Sequence, residues 1–515
     1  MSQNKLMKSV TLLMLISILS RMLGFVRDIL IASAFGANYQ TDAYNIAVAV
    51  PEIIFGIIGL AISTTFIPIL SESFIKDGKD DMFTFGNNIV NILSIISLFL
   101  CLLGIIFAPS LVKVVAPKFT GETFELTVLL TRISLINIIF MSVNACYTSI
   151  LQVLDDFIVP SLLGVAFNAP IILYIVCFNS SSILGLTIAT TIGNLLRIIL
   201  QIPFLKKHGY SFKLFFNLKD SRIKKILYLI LPVIIGAGVN QLNLVIDRAL
   251  ASGFDQGSIS ALNYSSRITL FLNSAISTSL VTVMYPFLSK KGHEKDYETF
   301  KAYVCKSIVY IMLIMIPCTV ILMVLSTPIT TVVFKRGVFD ELAVKLTSST
   351  LLFYSIALPF YGVRDILNAA LFSIQQTKVT TINGIIGMII NIVMSLILSA
   401  VIGLPGIALA ASIASIVTCF MLLHSLLSRV GGFDIKSLFV KNAKILLSAV
   451  AVSILIFYTY YGALYKFVNN GFAIFICIGV SSALGIMFYI LFIYLFKIQE
   501  FDELMHIIKN KLRKA

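Results

Sequence analysis

Apolar runs close to 20 residues long recur from one end of this 515-residue chain to the other, and each is long enough to cross a bilayer as a helix. Backbone N–H and C=O groups find no water in hydrocarbon, so a spanning segment must satisfy them within itself or close into a barrel. The runs lack the alternating 9–11-residue pattern of barrel strands, which leaves an all-α polytopic membrane protein. Composition points the same way. The chain is 58% hydrophobic and 12% charged, with mean hydropathy +0.99, whereas soluble domains carry about 25% charged residues. No segment reads as a separate soluble domain.

The periodicity predicts 14 transmembrane helices, over 10–34, 43–70, 88–112, 124–151, 158–178, 183–204, 226–250, 258–288, 303–326, 343–373, 380–401, 405–427, 442–463 and 471–496. The first carries Arg21, Arg27 and Asp28 and exceeds the short uncharged core of a signal peptide, so it is expected to be retained. Loop charge sets the orientation. Lys76, Lys79, Lys206, Lys207, Lys213, Lys290, Lys436 and the C-terminal lysines share a side with both termini, and cations there outnumber those opposite (Lys113, Lys118, Lys335, Arg336, Lys345 and Lys466) by roughly four to one. Both termini are therefore expected in the cytoplasm. The net charge of +15 reads as topology and attraction to anionic membrane lipids, with no nucleic-acid partner.

The two halves resemble each other. Asp28 to Phe35 aligns with Asp247 to Phe254, Ala61-Ile-Ser-Thr64 with Ala275-Ile-Ser-Thr278, and Pro68-Ile-Leu-Ser71 with Pro286-Phe-Leu-Ser289. Gln152, Gly164 and Asn168 recur as Gln375, Gly387 and Asn391. A repeat of six helices enters the membrane twice from the same side, which makes two pseudo-symmetric lobes related as parallel repeats. The expected organisation is an N-lobe over 1–204 and a cytoplasmic amphipathic linker over 205–225. A C-lobe follows over 226–428, then two extra helices with a basic tail over 429–515. The linker mixes basic and aromatic residues and is expected along the cytoplasmic interface; a plain solvated loop is the alternative.

An ionisable residue inside a membrane helix is costly unless it meets water, a partner or a ligand. Arg21, Arg27 and Asp28 on the first helix, Asp247 and Arg248 on the seventh, Arg267 on the eighth, and Arg364 and Asp365 on the tenth are such residues. The first and seventh helices are repeat counterparts, so these charges would line one central cavity. Arginine offers a planar fork of donors suited to phosphate oxygens, and a cationic cavity in an apolar protein suits an anionic cargo with a greasy tail. The alternative is that Arg27–Asp28 and Asp247–Arg248 are structural ion pairs or lie near helix ends. Arg132 and Arg197 read as lone interface or packing arginines. Gly24 and Pro51 are candidate hinges. The seven cysteines form no CxxC pair, the four histidines make no metal-ligand spacing, and there is no P-loop or GxSxG motif. A transporter is expected and an enzyme is not.

Ser20-Arg-Met-Leu-Gly-Phe-Val-Arg-Asp28, Phe35-Gly-Ala37, Thr41-Asp-Ala-Tyr44, Pro51, Phe66-Ile-Pro-Ile-Leu-Ser-Glu72 and Leu151 to Pro160 with Asn168 resemble the MurJ (MviN) family of lipid II flippases in the MOP exporter superfamily. The resemblance covers essentially the whole chain. It implies a bacterial cytoplasmic (inner) membrane protein that moves undecaprenyl-diphosphate-linked peptidoglycan precursor, lipid II, to the outer leaflet by alternating access. Cell-wall synthesis proteins are possible partners. It implies substrate-binding roles for Arg21, Arg27, Asp28, Asp42 and Arg267. It further implies a sodium site at Asp247, Asn391 and Ser395, where Ser395 replaces an expected acid. No cofactor is implied, and coupling would be to the membrane potential or to sodium. One departure is Phe55, where many members have arginine. Alternative readings are a flippase for another polyprenyl-diphosphate glycan, such as a capsule, exopolysaccharide or teichoic acid unit, and a MATE-like drug antiporter, which would favour acidic cavity residues.

Overall fold

The computed structural model describes residues 3–178, 182–432, 434–467, 471–503 and 505, and among these residues there is no β-strand. The first half runs α1 (Gln3–Phe35), α2 (Tyr39–Ala61), a π-helical turn (Ile62–Phe66), α3 (Ile67–Ile106), α4 (Ala108–Val115), α5 (Gly121–Ser134), α6 (Asn137–Val153), α7 (Ile158–Cys177) and α8 (Ile183–Lys207). Then follow α9 (Ser221–Ala251), α10 (Ser258–His293), α11 (Tyr297–Val324), α12 (Ser326–Phe334), α13 (Glu341–Ser373), α14 (Thr377–Ile402), α15 (Leu404–Val430), α16 (Ile435–Phe457) and α17 (Gly471–Leu495).

Among the described residues, 11 helical stretches are long and apolar enough to cross a membrane. One of them, Tyr39–Ile106, is 68 residues long and takes in two expected spans, 43–70 and most of 88–112. Its backbone turns at Gly78, where φ is +86°. The expected span 124–151 lies within one apolar stretch, Gly121–Val153, made of α5 and α6 with a turn at Leu135 and Ile136 between them. α1 and α9 hold the first and seventh expected spans but stand outside the 11. Helix starts follow local chemistry. Asn38 Oδ1 accepts from the amides of Gln40 (2.9 Å) and Thr41 (3.3 Å), and Thr41 Oγ1 accepts from Asn38 N at 2.9 Å, a reciprocal capping box. Asp340 caps α13 through Ala343 N at 2.8 Å.

The chain divides into two compact units. Unit 1 is Met1–Ser260 with Arg336–Phe339, and unit 2 is Ala261–Lys335 with Asp340–Ala515. In unit 1, α7 packs on α1 and α8, α2 on α5, α3 on α6, and α9 on α2. Phe66, Met82, Phe85, Tyr147, Ile150 and Tyr210 anchor one buried apolar cluster, and Phe35, Tyr44, Leu130, Ile171 and Leu186 a second. In unit 2, α15 packs on α13 and α14, and α11 on α13 and α16. Close helix contact in lipid depends on small residues; α15 buries Ala408, Ala410 and Ala414, and Ser412 Oγ donates to Phe353 O at 2.6 Å.

The stretch after α8 is not helical. Residues 210–217 form neither helix nor strand and are held against α3 by asparagines. The side-chain amides of Asn87, Asn88 and Asn91 donate to the carbonyls of Ser211, Asn217 and Lys213, each at 2.9 Å. In return, Lys213 N and Asn217 N donate to Asn87 Oδ1 (3.1 Å) and Asn88 Oδ1 (2.9 Å). Backbone satisfied this way turns Phe212, Leu214, Phe216 and Leu218 outward, and all four are exposed. Just beyond, Arg222 bonds Asp220 (Nη2–Oδ2 2.8 Å) and Ser73 (3.0 Å), also meets Asp81, and lies over the Phe85 ring at 4.3 Å. The Arg222 guanidinium holds the Asp220 carboxyl below the usual carboxylate range.

Candidate functional site

The charged residues of α1 meet side chains of α7. Neighbouring residues on a helix do not face each other, yet the long Arg27 side chain reaches round to Asp28: Nε and Nη2 donate to Asp28 Oδ1 at 3.0 and 2.6 Å. Nη1 donates to Asn168 Oδ1 at 3.0 Å. That amide is itself oriented, because Asn168 Nδ2 donates to Gly164 O at 2.8 Å. At Gly164, α1 comes so close that a Cβ would collide with the Ser20 hydroxyl. All three nitrogens of Arg27 thus donate to protein, with both side chains of the ion pair mostly buried (14% and 12% exposed).

A second guanidinium shares this floor. A Cβ on Gly193 of α8 would meet the Phe167 carbonyl at 2.5 Å, so α7 and α8 touch backbone to backbone. One turn on, Arg197 stacks over the Phe167 ring at 4.1 Å, and Arg27 lies 5.5 Å from the same ring centre. Both distances fall within cation–π range. Arg197 Nη1 donates to Asn194 Oδ1 at 3.2 Å, and its Nε is buried without a hydrogen-bond partner. Glu52 of α2 is exposed and lies within electrostatic reach of both arginines. Tyr44 OH bonds Thr190 Oγ1 at 2.8 Å, joining α2 to α8 beside this group.

Asp42 occupies a different place. It is 3% exposed and bonds the first residues of α10, which belong to unit 1. Oδ2 accepts from Gly257 N at 2.6 Å, and Oδ1 accepts from Ser260 N at 2.8 Å and Ser260 Oγ at 2.6 Å. Asn45 Nδ2 adds a bond to Ser260 Oγ at 3.0 Å. Carboxylate against a helix start is favourable, because the first amides lack partners and carry partial positive charge. Nearby, Val338 N donates to Ser33 O at 2.9 Å, and a Cβ on Gly337 would collide with that same carbonyl.

The remaining expected residues fall as follows. Arg21 is exposed on α1, and Arg267 is exposed on α10 within unit 2. Asp247 is half-buried on α9 in unit 1. On α14, Ser395 Oγ donates to Asn391 Oδ1 at 3.2 Å, and both residues are buried. Asp365 accepts from Ser277 at 2.7 Å and Asn273 at 3.3 Å, and Arg364 lies over Tyr361 at 5.1 Å. A Cβ on Gly24 would sit 3.6 Å from Asn168 Nδ2, an ordinary contact, so space alone does not demand glycine there. α2 runs through a buried Pro51. Phe55 lies against Gly59, where a Cβ would meet its ring at 2.8 Å. Arg27, Asp28 and Asn168 are brought together; Asp42 bonds elsewhere. Sequence reasoning set Arg197 aside, although the rule that singled out Arg27, an ionisable residue inside an apolar helix, applies to it equally. Among the described residues, no group of three His, Cys, Asp or Glu side chains could hold a metal ion.

The sequence profile described as "Lipid II flippase MurJ" matches residues 31–493. The chain is 32% identical over 429 residues to a probable lipid II flippase MurJ of Buchnera aphidicola subsp. Baizongia pistaciae (strain Bp), covering 82% of this chain and 83% of that one. It is 28% identical over 424 residues to the lipid II flippase MurJ of Burkholderia cenocepacia (strain J2315), covering 80% and 82%. Among solved structures, a lipid II flippase MurJ in an inward closed conformation superposes with TM-score 0.80 at 29% identity, covering 94% of this chain and 98% of that chain. A multidrug resistance MATE family transporter of the MOP superfamily shares the fold, with TM-score 0.66 at 16% identity over 80% of this chain and 94% of that one. With a profile that spans nearly its whole length and relatives this extensive, the chain belongs to the lipid II flippase MurJ family.

Proposed function

We propose that this protein is a transporter, not an enzyme, and that it carries lipid II from the inner to the outer leaflet of the bacterial cytoplasmic membrane. The observation that carries this reading is a cluster of guanidiniums set among apolar helices in a chain of the MurJ family. The barrier to flipping lies in the headgroup: a diphosphate cannot cross hydrocarbon without its hydration. Arginines inside the bundle replace that hydration with charge-assisted hydrogen bonds, while the polyprenyl tail stays in lipid. Alternating access between two six-helix repeats, 1–204 and 226–428, would expose the site to each leaflet in turn. The linker 205–225 would lie along the cytoplasmic face, and 429–515 would add two helices and a tail, with both termini cytoplasmic.

In this reading Arg21, Arg27 and Arg267 engage the diphosphate, Asp28 positions Arg27, and Asp42 governs the outer end of the bundle through the start of α10. Gly24 and Pro51 would serve as bending points. Coupling to sodium, if used, rests on Asp247 and on Asn391 with Ser395. Ser395 Oγ donates to Asn391 Oδ1 at 3.2 Å, which brings two oxygens of the kind that sodium takes as ligands side by side. Coupling to the membrane potential is the other option, and cell-wall synthesis proteins are the expected partners. A second cargo, another polyprenyl-diphosphate glycan, is kept in view by Phe55, which departs from the common family arginine. The test is depletion of the lipid II flippase in a host bacterium. Restored growth supports lipid II. No rescue by a well-expressed chain, together with transport of a capsule or teichoic acid precursor, would overturn it in favour of the second cargo.

A further inference from the structure

We propose that Arg197 is a cargo-binding residue, and that in the conformation described here it takes the diphosphate before Arg27 does. This rests on the diphosphate-lipid reading above and adds a residue and an order of engagement to it.

The argument is a count of donors. A guanidinium carries five N–H groups on three nitrogens. In Arg27 all three nitrogens donate to protein, two to Asp28 and one to Asn168. Those bonds use three of its five N–H groups and leave two, one on Nη1 and one on Nη2. In Arg197 one nitrogen donates, Nη1 to the neighbouring Asn194 at 3.2 Å. Its Nε has no hydrogen-bond partner and is shut away from solvent. A buried charged donor without a partner is costly. The reachable edge of the fork is Nη2, which makes no hydrogen bond and is not shut away, and a phosphate oxygen is the acceptor that fits it.

Placement supports the same conclusion. The tight Gly193 contact seats Arg197 on the Phe167 ring. That stack restrains the side chain, so little rotamer freedom is lost on binding. Arg27 lies by the same ring. Glu52 lies in electrostatic reach of both.

The experiment uses the full-length protein in nanodiscs that contain phosphatidylglycerol, with undecaprenyl diphosphate or undecaprenol as the probe. Retention is read by native mass spectrometry. The unaltered protein should retain the diphosphate lipid in preference to the neutral polyprenol. Arg197→Ala should weaken diphosphate retention by about tenfold or more and leave undecaprenol unchanged, since a hydrogen bond to a charged group is worth that much. Arg197→Lys should recover part of the loss. Arg27→Ala should cost less in this assay than Arg197→Ala. If Arg197→Ala fails to accumulate, Arg197→Gln, which keeps a donor toward Asn194, replaces it. Undiminished diphosphate retention in the Arg197 variants overturns this inference and leaves the lipid II reading standing. Equal retention of both probes by the unaltered protein overturns that reading, and this inference with it.

Discussion

Asp42 shows how one carboxylate can serve as the cap of a helix that begins about 215 residues later in the chain. Removing it leaves the Gly257 and Ser260 amides buried without an acceptor. Asp42→Ala should therefore cost about 2–3 kcal/mol, seen as an earlier thermal unfolding midpoint of the purified protein. Asp42→Asn keeps an acceptor and loses the charge, so it should cost about 1 kcal/mol. Equal midpoints for all three proteins would remove the cap. The arginines behave differently. Arg27→Ala and Arg267→Ala should each abolish flippase complementation at normal protein level, and Arg267→Lys should recover only part, because a point charge cannot form a bidentate fork. Full growth of both alanine variants would exclude the phosphate clamp. Asn168→Ala should weaken complementation through Arg27, whose Nη1 would lose its acceptor.

At the scale of elements, much was legible. Apolar run length foretold helices across the chain, while the caps at Asn38 and Asp340 came only from the structure. What stayed hidden was set by contacts far apart in sequence. The irregular stretch after α8 depends on Asn87, Asn88 and Asn91, more than 120 residues upstream, and nothing within the stretch announces them. Arg197 looked like packing because its value lies in Phe167 and Arg27, which only the meeting of α1, α7 and α8 supplies. That meeting depends on Gly193. Gly193→Val would drive a side chain into a carbonyl, so it should cost about 1–3 kcal/mol or more and lower the amount of folded protein. Gly24→Ala meets no such obstacle and gains about 1 kcal/mol of helix propensity. If Gly24 is a bending point, the variant should unfold no earlier yet complement poorly; full complementation would rule the hinge out. The Asp220–Arg222 contact predicts a pH effect. A carboxyl held below its usual range contributes stability above the unfolded-state value and loses it as pH falls through the folded one. Asp220→Asn should therefore flatten the acid limb of a thermal-stability profile; an unchanged profile would show that the contact contributes nothing.

For the molecule as a whole, the charge asymmetry of the loops predicts direction. In a cysteine-free background, Lys118→Cys should react with an impermeant maleimide added outside, and Lys213→Cys only after the membrane is opened; both positions are exposed. The reverse pattern would invert the molecule and the direction of transport with it. The count of helices was harder to read than their presence, because a 68-residue helical stretch and a span broken into α5 and α6 blur where one crossing ends. One feature also governs timing. Unit 1 is completed by Arg336–Phe339, whose Val338 amide closes on Ser33 across on the order of 300 residues, a contact that a growing chain makes late. A ribosome that has finished α8 or α9 has therefore not finished the first unit. The bond from Val338 N to Ser33 O, and with it the last piece of the first unit, can form only after α12 has been made.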